Sequence, residues 1–83
     1  MDAIEIFTIE LVVTNRFGVL NRITGLYAKR GYNIESLHVD ATENPEKSRM
    51  LITSKGGAEI QTQMVRQLEK LYDVQSVTLM VCT

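Results

Sequence analysis

The chain has no tryptophan, and cysteine, histidine and proline occur once each among its 83 residues. One cysteine, Cys82, cannot close an intrachain disulfide, and one histidine, His38, cannot build a metal cluster, so a reduced, cytoplasmic setting without a resident metal is expected. An excess of positive charge is also missing: 9 Lys and Arg stand against 10 Asp and Glu, for a formal net charge of -1. That balance removes the broad electrostatic footprint of a nucleic-acid binder. No apolar run approaches membrane-spanning length, and the opening "MDAIEIFTIELVV" has acidic residues inside its apolar run and no basic region before it. Neither a membrane span nor a signal peptide is expected, and the whole chain reads as mature and soluble. The length allows one small domain, residues 1–83, whose core supplies a modest margin of stability, so self-association is expected.

What is present is periodicity. Between Ile4 and Val13, Phe7, Ile9, Leu11 and Val13 alternate with Thr8 and Glu10, the pattern of a half-buried first strand. Leu20, Ile23, Leu26 and Tyr27 then recur at helical spacing, with Lys29 and Arg30 in the last turn and Gly31 as a left-handed stop, so a helix from about Gly18 to Arg30 follows. In "YNIESLHVDA", Leu37, Val39 and Ala41 share a side while Ile34 is out of phase, which predicts a strand with a bulge near Glu35 or Ser36. "TENPEK", around Pro45, is a turn, and "SRMLITSK" alternates Met50 and Ile52 with Arg49, Leu51 and Thr53. Gly56 and Gly57 break that strand; Ile60, Met64, Leu68 and Leu71, with Val65 beside them, mark a second helix, and Val77, Leu79 and Val81 a last strand. The order βαββαβ predicts an α+β, ferredoxin-like plan: an antiparallel sheet of order 4-1-3-2 with two helices on one face. The second strand is then a long edge with little to block pairing, which points to a homodimer through that strand or the adjacent helix.

Few residues suggest chemistry. In "TNRFGVL", Gly18 opens the first helix, where the free N–H groups of Gly18, Val19 and Leu20 and the positive end of the helix dipole suit a small carboxylate. From this segment alone a plain turn, with Asn15 as its cap and Gly18 relieving backbone strain, is the larger share. A phosphate loop is excluded, because no further glycines and no Lys-Ser or Lys-Thr pair follow. Asn33 offers a donor and an acceptor to an amino acid, or simply bonds its own turn. Asp40 and Glu43 read as solvated hairpin charges, and His38 as a surface residue without a serine-acid arrangement. Cys82 is a small packing residue, and Met50, Met64 and Met80 are core filler. No active site emerges.

The runs "NRFGVLNRITGLYAKRGYNIESL", "ENPEKSRMLI" and "QLEKLYDVQSV" resemble the small regulatory subunit of acetohydroxyacid (acetolactate) synthase, in the form of an ACT domain, over nearly the whole chain. The joined Asn-x-x-Gly-x-Leu loop and "RGYNIESL" run carry the likeness. The resemblance implies a non-catalytic subunit that binds the large catalytic subunit, raises its activity, and makes it sensitive to a branched-chain amino acid, usually valine. Thiamine diphosphate and magnesium would belong to that catalytic partner, with no cofactor on this chain. The resemblance also places the effector between two ACT domains, against the loop matching Asn15 to Leu20 of one chain and the asparagine matching Asn33 of the other. Val19, Leu20 and Ile34 would receive its isopropyl group. Since the chain stops at Thr83, directly after the last strand, the second, C-terminal domain of longer members is expected to be missing. An RNA-recognition domain shares the element order, but "SRMLITSK" has no aromatic on which to stack bases. An acylphosphatase-like enzyme would want a glycine-rich loop where only Arg16 stands out. The runner-up is a stand-alone ACT amino-acid sensor serving another partner.

Overall fold

A computed structural model describes residues 5–82, with side chains through residue 80. The elements run β1 (Ile6–Thr14), α1 (Val19–Lys29), β2 (Ile34–Ala41), β3 (Lys47–Lys55), α2 (Ala58–Glu69) and β4 (Val74–Cys82). They form the ferredoxin-like fold: an antiparallel sheet of order β2-β3-β1-β4, which is 4-1-3-2 read from the other edge. The expected beginning of the first strand at Ile4 and the side chains of Val81 and Cys82 lie outside the described residues.

The period of two in β1 decides the core. Phe7, Ile9, Leu11 and Val13 are buried, and Met50 and Ile52 of β3 join them on the same face. Val19, Ile23 and Tyr27 of α1 and Met64 and Leu68 of α2 close over that face in one apolar cluster, so both helices lie on one side of the sheet. The α1 helix ends in a Schellman motif: Gly31, at φ 76, donates its N–H to the Ala28 carbonyl at 3.0 Å, and the Tyr32 N–H reaches the Tyr27 carbonyl at 2.9 Å. The register between β2 and β3 slips between Ile34 and Ser36, where the out-of-phase Ile34 predicts a bulge.

One reading of the strand pattern is corrected. Met80 is not core filler: it lies opposite Thr8, on the face away from the helices, and is 46% exposed. Alternation separates the two faces of a strand, but only the helices decide which face is covered. Val39 shares its side with Leu37, as the pattern predicts, opposite Met50, yet is 48% exposed, because among the described residues no helix covers the β2 edge there.

Candidate functional site

The loop between β1 and α1 is held at its base by backbone. The Thr14 N–H donates to the Asp73 carbonyl at 2.8 Å, and the Asn15 N–H to the Glu46 carbonyl at 2.7 Å. Gly18 occupies the N-cap of α1 at φ 86 and ψ -9, a left-handed conformation that only glycine adopts cheaply, and no side chain caps the helix. Asn15 is therefore not the cap. Its Nδ2 donates to the Pro45 carbonyl at 3.1 Å and ties the loop to the β2–β3 hairpin. With no capping side chain, the N–H groups of Gly18 and Leu20 have no partner among the described residues. The Val19 N–H, expected to be free as well, makes a long bond of 3.3 Å to the Arg16 carbonyl.

Beneath this loop lies a cavity of about 180 Å³ lined by Val13, Thr14, Asn15, Arg16, Val19, Leu20, Val39, Ser48 and Met50. Val13, Val19 and Met50 make a buried apolar floor, while Leu20, at 43% exposure, and Val39 form a half-open wall. The volume falls short of the ~300–1,000 Å³ usual for a small-molecule site. One chain thus supplies part of a pocket, an apolar floor beside the start of α1. Larger depressions lie between the helices, lined by Arg30, Gln63, Arg66, Gln67, Glu69 and Lys70, and beside the hairpin near Asn44 and Lys47. The inter-helix depression is lined by long polar side chains and their aliphatic stems.

Asp73 carries no local signal in the sequence. It is 4% exposed and collects two guanidinium groups: Arg22 donates to Oδ2 at 2.8 Å and Arg16 to Oδ1 at 3.4 Å. Its partners are 51 and 57 residues away in the chain, so no local pattern announces the contact. The carboxylate cancels one of the two positive charges beside the loop and fixes the first turn of α1 against the turn before β4.

Asn33 and Ile34 are not part of this cavity. They open β2, where Ile34 pairs with Ser54, whereas the loop lies at the other end of the sheet, where Thr14 pairs with Lys47. The length of β2, roughly 23 Å at ~3.3 Å per residue, separates them. Within one chain Asn15, Gly18, Val19 and Leu20 come together and Asn33 and Ile34 do not.

This loop and half-pocket sit within the region that a known family shares. Residues 9–76 match the model of the AHAS small subunit-like ACT domain. The chain belongs to that family. It is 44% identical over 71 residues to a probable acetolactate synthase small subunit of Archaeoglobus fulgidus, covering 86% of this chain and 45% of that protein. The acetolactate synthase isozyme 3 small subunit of Escherichia coli is 43% identical over 70 residues, 84% of this chain and 43% of its own length. Among solved structures, the acetolactate synthase small subunit of Thermotoga maritima superimposes with a TM-score of 0.83 at 35% identity, over 89% of this chain and 46% of that one. The AHAS-type ACT domain described here thus spans less than half the length of these relatives. Among its described residues, no helix is long and apolar enough to cross a membrane.

Proposed function

We propose that the chain is a regulatory, non-catalytic subunit of acetolactate synthase. It binds the large catalytic subunit, raises its activity, and lets a branched-chain amino acid, valine, restrain it; thiamine diphosphate and magnesium act on the catalytic partner. The observation that supports the effector site is the half-pocket: an apolar floor of Val13, Val19 and Met50 next to the start of α1, whose Gly18 and Leu20 N–H groups have no partner among the described residues, with Asn33 and Ile34 at the far end of the β2 edge strand. Antiparallel pairing of two β2 edges about a two-fold axis would carry Asn33 and Ile34 of one copy towards the Asn15–Leu20 loop of the other. The amino acid then closes the pocket between them. Its carboxylate lies on the loop N–H groups, Asn15 and Asn33 orient the polar end, and the isopropyl group meets Val19, Leu20 and Ile34.

The magnitudes suit a metabolite sensor. Burying the isopropyl group contributes about 1.5–3 kcal/mol, and the helix start about 0.3–2 kcal/mol for the anion. Regulation needs only that valine prefer one arrangement of the dimer, and a coupling of about 1–3 kcal/mol suffices.

The test is the acetolactate-forming rate of the cognate catalytic subunit with and without this protein, each across a valine titration. The expected result is a rate increase that valine suppresses, and that Gly18→Asp frees from suppression while activation persists, because the added carboxylate repels the effector's own. No change in rate would defeat the synthase role and leave an amino-acid sensor with a different partner.

A further inference from the structure

The chain has five phenylalanine and tyrosine residues and no tryptophan, and two of those five rings stand almost wholly in solvent. Phe17 is 108% exposed and Tyr72 87%, while Phe7 and Tyr27 are completely buried. A single exposed apolar residue is ordinary. The placement of this pair is not. Phe17 rides on the β1–α1 loop and Tyr72 on the turn before β4, and the residues beside them are bonded to each other. Arg16 and Arg22 donate to the buried Asp73 carboxylate, and the Thr14 N–H donates to the Asp73 carbonyl. The two rings therefore project from loops fixed to one another, beside two guanidinium groups that are more than half exposed. Aromatic rings with arginine are the composition of interface hot spots, and loops held before binding lower the ordering cost of association.

The geometry points to the Phe17–Tyr72 tip as the surface that grips a protein partner presenting an apolar pocket with a carboxylate only on the side that faces Arg16 and Arg22. On the reading given under Proposed function, that partner is the catalytic subunit. A second copy is a poor occupant, because two-fold stacking of this tip sets Arg16 and Arg22 against their own counterparts. An anionic lipid surface is poor as well. The hairpin acids Glu43 and Glu46 sit at the same end, held to the loop by the Asn15 bonds to Pro45 and Glu46, and the chain is net negative. Phe17 also immediately precedes Gly18, so one loop would face the effector and the catalytic subunit together. A carboxylate settling on the Gly18 and Leu20 N–H groups alters the loop that presents Phe17, and by linkage the partner alters effector affinity by the same factor.

The test is calorimetric titration of the catalytic subunit with the wild-type chain and with the Phe17→Ser/Tyr72→Ser double variant, alongside sedimentation of each chain alone. Neither ring packs against the core, so the double variant keeps its fold, checked by circular dichroism. We expect its affinity to fall at least ~30-fold while its own mass is unchanged. Equal affinities of wild type and double variant overturn the docking surface and leave the regulatory reading standing. A double variant of lower mass shows the tip to be a contact between copies. Loss of wild-type binding to phosphatidylserine-containing vesicles in the double variant overturns the assignment in favour of a membrane. Failure of the wild type itself to bind the catalytic subunit defeats the regulatory reading, and this surface with it.

Discussion

Asp73 is a nearly buried carboxylate held by two arginines that are themselves more than half in water, at 2.8 and 3.4 Å. Solvent screens the pairs, so their worth lies less in Coulomb energy than in leaving no buried acceptor unpartnered. Asp73→Ala should cost about 1–2 kcal/mol in urea unfolding and loosen the Asn15–Leu20 loop, read as faster amide exchange there. Tyr27 poses the opposite problem. Its hydroxyl is buried with no hydrogen-bond partner among the described residues, and that burial pushes the phenol above its ordinary range. The neutral form is then the one the fold tolerates, so this contribution to stability is intact below about pH 10, the ordinary phenol value. Above that pH the unfolded chain loses its proton first, and stability falls by roughly 1.4 kcal/mol per pH unit. Tyr27→Phe should flatten that alkaline limb in pH-dependent denaturation and leave stability at neutral pH unchanged or slightly higher; a limb as steep as that of the wild type would assign the effect elsewhere. Neither the Asp73 contacts nor the buried Tyr27 hydroxyl was legible in the sequence, since Tyr27 reads only as an apolar helix position and the partners of Asp73 lie 51 and 57 residues away.

At the level of elements, Gly18 and Gly56, each ahead of a helix, act for different reasons. At Gly18 a Cβ would meet nothing within 4 Å, but φ is 86, so Gly18→Ala strains only the backbone and should cost about 1 kcal/mol in thermal or urea unfolding. At Gly56 the backbone is ordinary and the space is not. A Cβ there would lie 2.8 Å from Ile60 Cγ2 and 3.0 Å from Ile60 Cβ, so the start of α2 must shift. Gly56→Ala should cost about 1–3 kcal/mol and also strain the bond from Gln61 Nε2 to the Gly56 carbonyl. Pairing Gly56→Ala with Ile60→Ala should recover part of that loss; a double variant no more stable than Gly56→Ala would show that crowding is not the cause. Element order, the glycine stops and the bulge after Ile34 were readable because each rests on a local rule. The burial of Gln61 was not, because its partner is a carbonyl freed by the strand break.

For the whole molecule the informative surface is the one left uncovered. β2 has a free edge, and beside it Val39 and Leu20 stay half in water above the apolar floor of the pocket. If a second copy covers them, the melting temperature should rise with protein concentration. Val39→Lys should then reduce the sedimenting mass from dimer to monomer and weaken valine binding by at least ~10-fold through loss of half the site. A variant that remains dimeric with unchanged valine affinity would place the interface elsewhere.

The sequence alone determined the element order, the two alternating faces of β1 and β3, and the position of the loop and its glycine, because these follow from periods of two and 3.6 residues and from the steric freedom of one residue type. Tertiary structure decided which strand faces are covered, that Asp73 is the anchor of the loop, that Phe17 and Tyr72 share one end, and that Asn33 lies a strand's length from Asn15. Those facts depend on residues distant in the chain meeting in the packed sheet, and no local pattern encodes which of them meet.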